Sequence, residues 1–207
     1  MKTRTIYLFF IAFLLVSCFN SCKKYTEDIV CNPTSDYYFN GLIANNQECW
    51  NSGENDYQVY HGWGSSTVSG VTSYHWSLGL DQWPIPEDNK TVFLEFEVPY
   101  NIDSCTSKQF QNTFKTGSYS FSPINNDSKS GIEMSYMEDG KYYRTTYGSQ
   151  DDSYLNCTNV VESENYGNRE VLDITWSFKC SLYGSNGTFY KEIQNAELRV
   201  SVLHANN

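Results

Sequence analysis

The stretch "VLDITWSFKCSL", residues 171–182, alternates apolar and polar side chains without a break. Leu172, Ile174, Trp176, Phe178, Cys180 and Leu182 fall on one side, and Asp173, Thr175, Ser177, Lys179 and Ser181 on the other. Strand side chains repeat with a period of two and helix side chains with a period of 3.6, so this segment has one half-buried solution, an extended strand. The pattern recurs along the chain. Tyr74, Trp76, Leu78 and Leu80 oppose His75 and Ser77, and Val92, Leu94, Phe96 and Val98 make one apolar face. Ala196, Leu198, Val200 and Val202 do the same near the end of the chain. Tyr37, Phe39, Gly41 and Ile43 share a face, and a turn is expected at Asn45-Asn46. Asp139-Gly140 is a hairpin signal between "GIEMSYM" and "KYYRTTY", and Gly184–Gly187 marks another turn. One helix is expected, with Asp103 or Ser104 as N-cap, Phe110 and Phe114 at i,i+4, and Gly117 as its stop. No strand–helix–strand rhythm and no internal repeat occurs. The expectation is an all-β fold over residues 36–207: a single β-sandwich of about nine or ten mostly antiparallel strands with one short helix, a barrel being the second choice.

The first residues read differently. Lys2 and Arg4 precede a segment, Ile6 to Val16, that is apolar apart from Tyr7. It falls well short of the ~20 residues needed to span a bilayer as a helix, and it has the form of an export leader. Leu15-Val16-Ser17-Cys18 resembles the lipobox of bacterial lipoproteins, in which an aliphatic residue and two small or tolerated residues precede a cysteine. That resemblance implies a signal peptide over 1–17, diacylglycerol on the sulfur of Cys18, and Cys18 as the first mature residue. Phe19-Asn20-Ser21-Cys22 fits the pattern less well, since Phe and Asn stand where Leu and a small residue are preferred. The alternative is an ordinary secretory leader. Each buried methylene of an anchor contributes ~0.8 kcal/mol, and two chains suffice for stable attachment. The implied partner of the N-terminus is therefore a membrane, and the implied address is the cell envelope.

Charge and cysteines bear on the same question. Removing Lys2 and Arg4 with the leader takes the formal charge from −10 to −12. Phosphates would repel such a chain, so a nucleic-acid partner is not expected, and neither is a polybasic membrane patch. Seven cysteines occur, at 18, 22, 31, 49, 105, 157 and 180. If Cys18 carries lipid, an even number remains to pair in an oxidising compartment. Connectivity among Cys22, Cys31, Cys49, Cys105, Cys157 and Cys180 is left open by the sequence. Absence of a CxxC, and of His at zinc-finger spacing from any Cys, argues against structural zinc, and no cofactor is expected. Residues 18–35 are polar and read as a tether.

A family resemblance covers the two ends of the domain. "YYFNGLIANNQECW" is similar to the opening of uncharacterised Bacteroidetes lipoprotein domains, which begin Phe-x-x-x-Ile-x-Asn/Asp-Gly-x-x-Trp. "DITWSFKCSLYGSNGTFYKEIQNAELRVSV" resembles their last strands, with Gly187-Thr188-Phe189 and Ile193-Gln194-Asn195-Ala196 at the matching places. Asn46 departs from the usual Gly, and the cysteines are additional. The resemblance implies an all-β envelope lipoprotein and carries no activity and no functional residues.

Candidate chemistry is sparse. Three histidines occur, at 61, 75 and 204. No Gly-x-Ser-x-Gly elbow supports a serine nucleophile; "GWGSS" at 62–66 is only superficially similar. Glu95 and Glu97 point the same way from one strand, about 6.5–7 Å apart, a spacing that glycosidase carboxyl pairs use but that a solvated sheet face also produces. "NNDSKSGIE" at 125–133 gathers oxygen ligands around a Gly without the acidic spacing of a calcium loop. Aromatics make up 16% of the chain. Trp63 in "HGWGSS" and Trp83 in "DQWPIPED" read as loop residues, and Tyr143 and Tyr147 lie on the face opposite Tyr142. Exposed rings beside Asn, Gln and Asp suit sugar stacking or protein contact. The functional expectation is therefore a lipid-anchored, non-catalytic binding module for a glycan or protein. The alternatives are a structural subunit of the envelope or a surface assembly and, last, a glycoside or ester hydrolase.

Overall fold

The computed structural model describes residues 31–68, 70–83, 90–100, 105–122, 131–163 and 169–204. Cys18, Cys22 and the leader lie outside these residues, as do the candidate N-caps Asp103 and Ser104 and most of the 125–133 segment. In chain order the strands are β1 (Tyr38–Ile43), β2 (Asn46–Asn51), β3 (Tyr57–Val68), β4 (Val71–Gln82), β5 (Lys90–Tyr100), β6 (Gly117–Tyr119), β7 (Gly131–Glu138), β8 (Lys141–Arg144), β9 (Tyr154–Glu162), β10 (Val171–Tyr183) and β11 (Phe189–Leu203). The helix α1 (Ser107–Thr113) precedes β6, and a single 3-10 turn (Thr145–Tyr147) follows β8.

All described strand pairs are antiparallel. The main path runs β2-β1-β11-β10-β8-β7-β5-β4-β3, and β9, with β6 beyond it, branches from β10. The branch is possible because β10 pairs with β8 only at its C-terminal end, Tyr183 opposite Arg144, and gives Leu172–Lys179 to β9. The all-β expectation holds, and the two layers are halves of one curled sheet. Phe96 of β5 meets Trp176 of β10 at 5.3 Å between ring centroids, and Trp50 of β2 stacks on Tyr57 of β3 at 5.1 Å.

The inward residues are those the alternation selects. Trp76, Leu78, Leu80, Val92, Leu94, Phe96, Trp176, Phe178, Leu198 and Val200 are buried. Each such side chain contributes roughly 1.5–3 kcal/mol on burial. Helix α1 closes one end of the core, with Phe114 5.4 Å from Trp76 and Phe110 against the ring of His204 at 4.9 Å. Its N-cap is Thr106, in a capping box with Gln109, which satisfies two otherwise unpaired backbone donors.

Two sequence expectations need correction. The first hairpin turns on Ala44-Asn45, both at positive φ (52° and 64°), with Ile43 and Asn46 paired across it, so the turn sits one residue earlier than expected. Trp63 belongs to β3, not to a loop: Gly62 and Gly64 stay inside the ladder opposite Ser77 and His75. The polar stretch before residue 36 is partly pinned. Cys31 is disulfide-bonded to Cys49 of β2, and the Thr34 amide donates to Asn51 Oδ1 at 3.2 Å. Cys105, Cys157 and Cys180 are free buried thiols.

Candidate functional site

Because β3, β4, β5 and β7 bury their even- or odd-numbered residues against the core, the alternate residues form an outer face. Register aligns these into rows that cross the sheet. One row runs Tyr60, Gly79, Phe93, Ser135, Arg144 from β3 to β8. The next runs Gly62, Ser77, Glu95, Glu133. Tyr142 stands opposite Met137 on the far side of the first row. A groove of about 330 Å³ opens over these rows, lined by Tyr60, Ser77, Asp81, Phe93, Glu95, Ser135, Tyr142 and Arg144. That volume lies at the lower end of the range of small-ligand sites, roughly 300–1,000 Å³.

Glycines shape its floor. A Cβ on Gly79 would collide with the Val92 carbonyl and come within 2.7 Å of the Phe93 ring. The missing side chain lets Phe93 lie across β4 toward Tyr60, which it meets edge-on at 5.2 Å. A Cβ on Gly62 would likewise stand 2.8 Å from the Tyr60 hydroxyl. Two strand glycines thus allow two rings to lie down on the sheet, a use of Gly in strands where another group approaches closely. Tyr60 and Tyr142 remain exposed, at 44% and 54%, so ring faces are available at both rims.

The polar groups are held from below. The Ser135 hydroxyl donates to Glu95 Oε2 at 2.7 Å. Glu133, directly opposite Glu95, is almost fully buried and has both carboxyl oxygens occupied, Oε1 by Arg144 Nη1 at 2.7 Å and Oε2 by the Thr146 hydroxyl. Burial pushes the Glu133 carboxyl above its ordinary range; Thr146 and Arg144 oppose the rise and the nearby Glu95 adds to it. Burial also raises Asp81, whose Oδ1 is enclosed and has no hydrogen-bond partner. The arrangement can stack a flat apolar face on the rings and accept hydrogen bonds from hydroxyl or ammonium groups at Asp81 and Glu95.

The sequence-selected residues are scattered by comparison. Glu95 lines the groove, but Glu97, two residues on, is fully buried and lies 3.9 Å from His75 Nε2. The two therefore do not form an open carboxyl pair. Tyr143 turns inward and stacks on Tyr190 at 3.5 Å, which makes it part of the packing. Tyr147 is exposed and lies under the Arg144 guanidinium at 5.9 Å, outside the groove lining. Trp63 carries the Arg169 guanidinium at 5.9 Å over its ring, next to His61, whose imidazole is lowered by burial and by Arg169. Trp83 is 63% exposed at the end of β4. Six residues of β3 separate Trp63 from Tyr57, beside which Trp83 leaves the hairpin, so the two tryptophans lie about 20 Å apart and share no surface. His204 is buried, with Nε2 2.8 Å from the Cys105 carbonyl oxygen.

Tyr60, Phe93, Tyr142, Asp81 and Arg144 were not selected from the sequence. The available signal was the pair of glycines inside strong strand patterns, beside aromatics. Among the described residues no group of three or more His, Cys, Asp or Glu side chains is placed to hold a metal ion, and no helix is long and apolar enough to cross a membrane. Comparison with protein-family models, with curated proteins and with solved structures finds no match for this chain.

Proposed function

We propose that the chain is a lipid-anchored cell-envelope lipoprotein whose β-domain is a non-catalytic binding module for a glycan, bound in the outer-face groove. The observation that carries this reading is the combination in one groove of rings lying on a glycine floor with hydrogen-bonding groups between them. Rings stack on pyranose faces, and carboxylates and hydroxyls orient sugar hydroxyls. Binding is favoured over hydrolysis because, among the described residues, no second open carboxyl stands beside Glu95 at bond-cleaving range: Glu133, opposite it, has both oxygens occupied and little exposure, and Asp81 lies four residues along β4 from Ser77, the partner of Glu95, about 13 Å away. A glycosidase needs two carboxyl groups that both reach the scissile bond.

Two experiments test the parts separately. A glycan array probed with the full chain in detergent should give hits that Tyr142→Ala and Tyr60→Ala each weaken at least tenfold. Hits untouched by both changes would remove the groove from the reading. Metabolic labelling with palmitate should be lost in Cys18→Ala and retained in Cys22→Ala. The reverse result would refute the anchor at Cys18.

A further inference from the structure

The two ends of the main sheet path are finished differently. At one end β2 is six residues long and carries Glu48, with Cys31 and Thr34 fastened to it at Cys49 and Asn51. At the other end β3 is twelve residues long, and its register with β4 runs unbroken from Tyr57↔Gln82 to Val68↔Val71. Natural edge strands are kept from pairing by shortness, charge, proline or a bulge. The edge strand β3 has none of these: "YQVYHGWGSSTV" holds no Asp, Glu, Lys, Arg or Pro. The Tyr57 amide donates to the Glu54 carbonyl and the Tyr57 carbonyl accepts from the Gly53 amide, so Tyr57 turns its backbone away from β4. Backbone direction alternates along an antiparallel ladder, so Val59, His61, Trp63, Ser65 and Thr67 turn the same way. Among the described residues, these five have no backbone partner on that side. The side chains of His61, Trp63, Ser65 and Thr67 are exposed as well. Arg169 lies over the Trp63 ring at 5.9 Å, yet the residue stays 39% exposed.

We propose that the β3 edge is an interface with a second copy of this chain, two antiparallel β3 strands meeting about a two-fold axis at Trp63. The order of residues along the edge sets this register. With Trp63 opposite its own copy, His61 faces Ser65 of the other copy, Val59 faces Thr67, Tyr60 faces Ser66 and Gly62 faces Gly64. Large side chains thereby meet small ones, two β-branched residues meet each other, and the Trp63 rings meet at the axis, an aromatic cross-strand pair of the kind that stabilises sheets. The register also sets the outward-facing residues opposite one another, as hydrogen-bonded pairs require. The chain has a formal charge of −10, so two copies repel as wholes, but the β3 strands themselves bring no like charges together. A foreign strand could extend the ladder too; the match of this edge with its own reverse favours a second copy. Each copy has one such edge and a two-fold contact uses both, so the assembly closes at a dimer. The contact does not depend on what the outer-face groove binds.

The test is sedimentation equilibrium of the full chain in density-matched detergent, at about 150 mM salt so that charges beyond ~8 Å are screened. Residues 59–67 span about 30 Å of strand. That is a small interface, so a monomer–dimer equilibrium with a Kd of about 1–100 µM is expected. Ser65→Lys sets a charge on each strand at the seam and should raise Kd about tenfold or more. Ser65→Pro removes an edge N–H that β4 does not use and should weaken the dimer likewise. Circular dichroism and Tm show whether each variant stays folded, and if the proline variant unfolds, Ser65→Lys decides. Thr158→Lys makes the same charge change at an exposed residue of β9 beyond its pairing with β6, and should leave Kd unchanged. A chain that stays monomeric to about 1 mM overturns the inference. A dimer that survives the folded Ser65 variants, or that Thr158→Lys weakens as much, also overturns it. If the chain is monomeric but binds a synthetic peptide of residues 57–68, the edge accepts a foreign strand and the second-copy inference falls.

Discussion

Gly79→Ala is the sharpest perturbation of the groove, because it changes one methyl group at a residue that offers a ligand no side chain. The new Cβ would meet the Val92 carbonyl, the Phe93 Cα at 3.0 Å and the Phe93 ring at 2.7 Å. The first two are backbone atoms inside the β4–β5 ladder, where Gly79 pairs with Phe93 and Leu80 with Val92, so they cannot swing aside as a side-chain end would. Overpacking of this kind costs about 1–3 kcal/mol. For a domain of this size each kcal/mol moves Tm by roughly 2–4 °C, so a loss of about 2–12 °C is expected. The Phe93 ring would also be lifted from its place beside Tyr60, and ligand affinity should fall with stability. Gly64→Ala is the control on the neighbouring strand. Its Cβ would have no neighbour within 4 Å, and the gain from replacing a strand glycine is about 0.5–1 kcal/mol. Differential scanning calorimetry of the two variants decides the matter. If Gly79→Ala melts with the wild type, or if Gly64→Ala is equally damaging, the close-packed floor is not what holds the rings.

Further outcomes follow from the rest of the structure. Replacing both Cys31 and Cys49 by Ser opens a link between residues 18 apart in sequence and should cost about 3 kcal/mol, a Tm loss of roughly 6–12 °C that reductant reproduces in the wild type. Burial holds the thiols of Cys105 and Cys157 at about 11 and pushes Cys180 up further, so mass-mapped alkylation at pH 8 should spare all three in the native protein and modify them in denaturant. The Glu133 carboxyl is raised in the folded state, so the proton favours the fold: its stabilisation is complete below the unfolded value of 4.5 and is lost as pH rises through the folded value. Glu133→Gln removes that dependence, and urea titrations should show the variant gaining on the wild type as pH rises across that window. Arg144→Met leaves the buried Glu133 carboxylate without its cation and should destabilise by about 1–3 kcal/mol near neutral pH while sparing the protein at low pH.

The inward residues of the core were readable, and the groove was not, for one geometric reason. Alternation is a property along a strand, and it identified the inward face of β10 down to Cys180 and Leu182. The hairpin turn at Asp139-Gly140 was readable from its residues, and the first hairpin was misplaced by one residue where Ala44 takes a positive φ. The groove is built across strands. Tyr60, Phe93, Ser135 and Arg144 come from β3, β5, β7 and β8 and become neighbours only once four registers are set. Reading along β5, Glu95 and Glu97 look equivalent. Across the sheet they part company: Glu95 has Ser77 and Glu133 beside it at an open groove, while Glu97 has His75 and Gly131 and is enclosed. Reading along β8, Tyr143 and Tyr142 differ only in parity, and only pairing with Tyr136 shows that Tyr143 is the inward one. What survives from sequence to site is the size pattern within a row. Large side chains at the rims, Tyr60 and Arg144, lie over small ones between, Gly79 and Ser135, and the ring of Phe93 fills the middle. A strand glycine flanked by aromatics on its own and adjacent strands therefore marks a place where a sheet face can be hollowed without breaking the ladder. On this chain that mark falls at Gly62 and Gly79, the two positions whose substitution would reach the rings directly.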